Sequence, residues 1–263
     1  APGLTIKLAK EFGFCYGVER AIDLAYAARK SFPPDKLIYL LGEIIHNPEV
    51  NEQIRKLGIK TISNKPTDEE LEQLCADDVV IIPAFGTGVG TRAKLKAKGC
   101  TLVDTTRGDV MSVWKRVSQY ARDAVTSIIH GKAWHEETKA TSSQATATNG
   151  HYLVVFTLAE TDYVCHYMTH GGSKPEFLDK FKGAYSLGFD PDVHLDAIGL
   201  ANQTTMLRGE TEEVQPLCRP ALTAQFGVET DTKQFHDFTP LCGDTQDPHD
   251  ALRTTTRAPT RHI

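Results

Sequence analysis

One local pattern occurs three times in this chain: an apolar run, a short break, then a helix-like segment. Residues 4–9 lead to Phe14-Cys15-Tyr16-Gly17, residues 101–104 to Thr105-Thr106-Arg107-Gly108-Asp109, and residues 235–241 to Cys242-Gly243-Asp244. A run of strand length that breaks and gives way to a helix is half of a crossover unit. Its repetition commits the chain to an α/β fold with mainly parallel sheet. Such folds assemble their sites where strand ends converge. Two thiols and one guanidinium at matching breaks therefore describe a metal centre short of one ligand.

The 263 residues suffice for one large domain or for two to three small αβ units with real cores. Net charge is −5 with 29 Lys+Arg, so neither nucleic acid nor an anionic membrane surface is expected as partner. No apolar run reaches the roughly 18 residues of a membrane span, and Ala1-Pro2-Gly3 does not open a secretory signal. Six cysteines at irregular spacing, with no CxxC pair, suit a reducing compartment. Cys75, Cys100, Cys165 and Cys218 read as small buried hydrophobes. Cys15 and Cys242 differ, because each follows an apolar run and precedes a polar, glycine-containing break.

Strands are predicted at 4–9, 37–41, 79–83, 101–104, 127–130, 152–156 and 197–201. Helices are predicted at 18–28, 49–56, 68–75, 91–98, 110–122, 174–181 and 210–218. Val110, Val113, Trp114, Val117 and Ala121 form the apolar face of the fifth helix. Residues 62–69 and 140–151 read as polar loops. After Leu252 the threonine- and arginine-rich end has no packable periodicity. It reads as a disordered tail of a truncated chain.

Four segments offer chemistry at strand ends, each with a structural alternative. Gly86-Thr-Gly88-Val-Gly90 can cradle phosphate before a helix, but it lacks the fingerprint spacing and reads better as a turn. His46, in Ile45-His46-Asn47-Pro48, can bind a phosphate at a helix start or simply fill a turn. Trp134-His135-Glu136-Glu137-Thr138 carries an imidazole and two carboxylates, suited to proton donation or to a solvated helix start. Asn202-Gln203-Thr204-Thr205 can hold a substrate oxygen or cap a helix. Taken together they place His, Glu, Thr and Cys at successive strand ends, which favours a shared site.

Read as whole motifs, GFCYGVERAI (13–22), EIIHNPEV (43–50), PAFGT (83–87), VDTT (103–106), HGKAWHEETKATSSQA (130–145) and ANQTTMLRGETEE (201–213) resemble 4-hydroxy-3-methylbut-2-enyl diphosphate reductases of the cyanobacterial and plastid branch. The resemblance implies αβ units in pseudo-threefold arrangement around a [4Fe-4S] cluster: residues 1–106, 107–241, and a remnant of the third unit at 242–263. It implies reductive dehydroxylation of the allylic diphosphate to isopentenyl and dimethylallyl diphosphate, the last step of the non-mevalonate isoprenoid route. It further implies a ferredoxin-type electron donor and a bacterial cytoplasmic or plastid stromal location. Residue by residue, Cys15 and Cys242 correspond to cluster ligands and His46 and His135 to diphosphate ligands. Glu137 corresponds to the proton-delivering carboxylate, assisted by Thr204. Phe85 stands where many members have a third histidine.

Two departures qualify this. Arg107 occupies the position of the remaining cluster cysteine, and a guanidinium stays protonated with no lone pair for iron. The chain also stops before the family's Ser-x-Asn diphosphate segment. The alternative expectation is a non-catalytic homologue that at most binds diphosphate through His46 and His135.

Overall fold

The computed structural model describes Ala9, residues 13–226, 235–236 and 250–253. The strand expected at 4–9 thus lies outside the described residues, except for Ala9, which is not in a strand. Helix α1 (Tyr16–Ser31) opens the first unit and precedes β1 (Ile38–Leu41), α2 (Pro48–Lys56), β2 (Lys60–Ile62) and α3 (Asp68–Glu72). The unit continues with β3 (Val79–Ile82), α4 (Val89–Ala97) and β4 (Thr101–Asp104). Helix α5 (Gly108–Arg122) then leads to β5 (Thr126–His130), α6 (Glu136–Ala147), β6 (Tyr152–Val155), α7 (Leu158–His170), α8 (Lys174–Lys180) and α9 (Pro191–His194). Strand β7 (Ile198–Asn202), α10 (Arg208–Phe226) and β8 (Phe235–His236) follow.

Two four-stranded sheets result, ordered β2-β1-β3-β4 and β6-β5-β7-β8, and every pairing within them is parallel. The two orders are the same when each sheet is numbered from its own first strand, so the chain repeats one αβ topology. This is the α/β architecture of small parallel sheets that the sequence predicts.

Why the strands sit in the middle is visible in β3. Its Val79-Val80-Ile81-Ile82 are all buried, as parallel strands covered on both faces require. Val79 and Ile81 pack with Ala21 and Ala25 of α1 and Ile54 of α2. Val80 packs on the other side with Leu71, Leu74 and Leu95. Strand β5 repeats the division, with Ile128 in one core and Ile129 in the other.

Several expectations need correction. Residues 140–147, read as loop, belong to α6, and α7 and the short strand β2 were not foreseen, while β8 lies at the start of the apolar run 235–241. Helix α6 escapes a periodicity reading because its buried face is Glu137, Thr138, Ala140, Thr141, Ser142 and Ala145, with no apolar stripe. Helix α3 ends at Glu72 rather than 75, while α10 runs through Pro216 and Pro220 to Phe226 rather than stopping at 218. Cys75 is exposed rather than buried, whereas Cys100, Cys165 and Cys218 are buried as expected.

Candidate functional site

The described strands β1, β3, β4, β5 and β7 all release the chain, at their C-terminal ends, towards one region. Beyond β1 comes His46, beyond β3 Phe85, and beyond β4 Arg107. His135 and Glu137 follow β5, and Thr204 follows β7. Sequence-distant residues are thereby gathered around a cavity of about 230 Å³ lined by Phe14, Val18, Ile45, Asn47 and Ala84 together with His46, Phe85, Arg107, His135, Glu137 and Thr205.

His135 is the N-cap of α6, and its Nδ1 accepts the Glu137 backbone N–H at 3.1 Å. That bond fixes the tautomer: Nδ1 is the acceptor, so Nε2 carries the proton and is the donor available to a ligand. Burial, with His46 as the next cause, pulls the pKa of His135 from 6.5 down to about 4. His46 stacks on Phe85 with ring centroids 4.9 Å apart and meets His135 edge-on at 5.1 Å. Its Nδ1 lies 3.0 Å from the Glu43 carboxylate. Two imidazoles and an aromatic ring thus form one wall.

Opposite that wall is a buried polar cluster. Glu137 is 1% exposed and Arg107 8%. Arg107 Nη2 donates to Glu137 Oε2 at 2.9 Å and to Thr204 Oγ1 at 2.6 Å. Thr204 donates its hydroxyl to Glu137 Oε2 at 2.9 Å and its backbone N–H to Oε1 at 2.5 Å. Burial pushes the Glu137 carboxyl above the usual carboxylate range, with the Arg107 charge and the Thr204 donors pulling the other way. The loops carrying these groups are tied by Gln203, whose Oε1 accepts from the Lys132 N–H at 3.0 Å and the Thr138 hydroxyl at 3.1 Å. Sequence reading missed this positioning role, since an amide after a strand reads equally well as a cap.

Arg107 caps α5 with its backbone, and its N–H donates to the Ala84 carbonyl at 2.9 Å. Its aliphatic stem lies on Gly17 of α1, where an added Cβ would come within 3.2 Å of Arg107 Cγ and Cδ. Cys15, two residues earlier, is the N-cap of α1, and its Sγ accepts the Val18 N–H at 3.4 Å. Cys242 lies outside the described residues. The glycine-rich segment is a turn, as expected: Gly86 has φ +79°, and a Cβ there would fall 2.3 Å from the Trp114 ring.

The donors among the described residues do not fit an iron–sulfur cluster. Fe–S clusters are held by thiolates, and Arg107 offers iron no lone pair. Among the described residues no group of three or more His, Cys, Asp or Glu side chains converges as metal ligands. No described helix is long and apolar enough to cross a membrane.

The family model of the LytB protein matches residues 6–260. A 4-hydroxy-3-methylbut-2-enyl diphosphate reductase of a Picosynechococcus species is 47% identical over 249 residues, covering 95% of this chain and 60% of the relative. That of Crocosphaera subtropica is also 47% identical, with 95% and 61% covered. The chain thus spans about 60% of the length of these curated relatives. Two solved reductase structures share the fold. One, the terminal enzyme of the non-mevalonate pathway, aligns with a TM-score of 0.64 at 24% identity, over 95% of this chain and 72% of that one. The other, from Plasmodium falciparum, aligns with a TM-score of 0.65 at 22% identity, over 93% and 63%. A family model that runs through both sheets and a fold shared with solved reductases lead to one conclusion: the chain belongs to the LytB protein family.

Proposed function

We propose that this chain carries the substrate site of a 4-hydroxy-3-methylbut-2-enyl diphosphate reductase. The family reaction adds two electrons and two protons to the allylic diphosphate, releases the 4-hydroxyl as water, and yields isopentenyl or dimethylallyl diphosphate. The observation that carries this reading is the convergence of His46, His135 and Glu137 on one cavity, with Thr204 bonded to Glu137 behind it, from three separate strand ends. The cavity's chemistry suits such a ligand. Phe14, Val18, Ile45 and Phe85 offer an apolar surface to a five-carbon chain. The Nε2–H of His135 and the ring of His46 face the same space and suit diphosphate oxygens.

Glu137 and Thr204 stand as proton donor and assisting hydroxyl. The family resemblance implies a [4Fe-4S] cluster and a ferredoxin-type donor as the source of electrons. Because the described donors do not fit that cluster, no step is derived through it. A second reading, a homologue that binds the diphosphate without reducing it, is favoured by the position of Arg107 against Glu137.

The test of the substrate site is thermal unfolding with 4-hydroxy-3-methylbut-2-enyl diphosphate. Saturating ligand raises Tm by mass action, and His46→Ala and His135→Ala each weaken the half-saturating concentration at least about tenfold, the loss of one charge-assisted bond. A wild-type chain whose Tm is indifferent to the diphosphate sinks the reading.

A further inference from the structure

We infer that in this chain Arg107 stands in the cluster's place and turns the site into a metal-free pocket for allylic diphosphates; the inference rests on reading the cavity as the family's substrate site. Three observations carry it.

The first is position. Arg107 caps α5 three positions after the end of β4, and its side chain crosses from the first sheet to residues following β5 and β7. With the stem against Gly17 and the head against Glu137 and Thr204, the guanidinium occupies the space between the strand ends. A cluster ligand at that place would need a thiolate, and a fixed cation there repels iron as well as failing to bind it.

The second is charge. Glu137 is almost fully buried, and a buried carboxylate without a partner is costly. Arg107 supplies the partner, so the carboxylate is paired without metal. The same contacts engage the groups that would deliver a proton. Glu137 Oε1 accepts from the Thr204 N–H, and Oε2 from both the Thr204 hydroxyl and Arg107. The carboxyl cannot turn to a substrate without breaking the ion pair. One atom stays unsatisfied: Arg107 Nε is buried with no hydrogen-bond partner.

The third is what remains open. The cavity of about 230 Å³ keeps both histidines, the apolar wall and the edge of Arg107. It therefore retains recognition while the reducing centre is excluded. The predicted behaviour is binding without turnover.

The experiment uses the whole chain, incubated anaerobically with ferrous iron, sulfide and thiol and then desalted, with dimethylallyl diphosphate as the non-reducible probe. The expected wild-type result is no retained iron or sulfide, no visible iron–sulfur absorption, and a saturable rise in Tm with the probe. Stoichiometric iron and sulfide in the wild-type chain would overturn this inference while leaving the substrate site standing. An iron-free chain whose Tm ignores the probe would overturn the pocket itself. Arg107→Lys serves as a second variant that keeps the charge but loses the fork geometry. It is expected to stay iron-free, and iron uptake by it would overturn the charge argument.

Discussion

Glu137 accepts from a guanidinium, a hydroxyl and a backbone N–H, and these donors are not interchangeable. Losing the hydroxyl removes its bond to Glu137 and the one it accepts from Arg107, whereas losing Arg107 leaves a buried carboxyl without its cation. Arg107→Met is expected to destabilise the fold by about 3–5 kcal/mol, the cost of breaking a buried pair from one side. Adding Glu137→Gln should restore a large part of that loss, because the stranded charge is then gone. Urea unfolding of the two single variants and the double variant gives the coupling energy; strict additivity would deny the pair. His135 makes a separate prediction. Its folded-state pKa of about 4 lies below the unfolded value of 6.5, so the unfolded chain takes the proton first. Its contribution to stability is full above about pH 6.5 and is lost as pH falls towards 4. Protonating Nδ1 also removes the acceptor for the Glu137 N–H. A His135→Asn variant, which retains a capping side chain, should flatten the pH dependence of unfolding in that window; an unchanged slope would place the linkage elsewhere.

Among the elements, strands and amphipathic helices were legible because one-dimensional periodicity reports burial on a face. The VVII run of β3 and the Val110, Val113 and Val117 face of α5 are of this kind. Helix α6 was not, because it is buried through small and hydroxyl-bearing residues. Those side chains let it approach α4 and α5 closely, and their hydroxyls find tertiary partners. The Trp114 indole N–H, for instance, donates to Thr141 Oγ1 at 3.2 Å. Such packing depends on what lies opposite, which no periodicity encodes. The residues of the site were legible as strand-end motifs, yet the Arg107–Glu137 pair was not, since thirty positions separate its members. Turn chemistry yields a sharper prediction. Gly86 combines φ +79° with the Trp114 ring where a Cβ would sit. Gly86→Ala should cost about 1–3 kcal/mol through overpacking and strain. Gly90→Ala, in the first turn of α4 with open space around it, should be neutral or stabilising by about 0.5–1 kcal/mol. Equal losses in the two variants, read by denaturant midpoint, would remove the argument for Gly86.

As a whole, the molecule builds its site from a repeat. Two sheets of the same strand order direct their C-terminal ends to one cavity, and each sheet is covered by helices on both faces. The cavity thus depends on the relative placement of two cores rather than on any one loop. Ligand binding should accordingly raise the stability of both units together, seen as protection of β3 and β5 amides from hydrogen exchange. Under the proposed reading, recognition and reduction separate: the histidine wall would serve recognition, and position 107 would decide whether a cluster can be held. Titration calorimetry of the unreconstituted wild-type chain with 4-hydroxy-3-methylbut-2-enyl diphosphate brings these statements to one reading. A saturable one-to-one heat in iron-free protein, lost in His135→Ala, is the expected result. An absence of binding heat, or binding that appears only after iron and sulfide are incorporated, would overturn it.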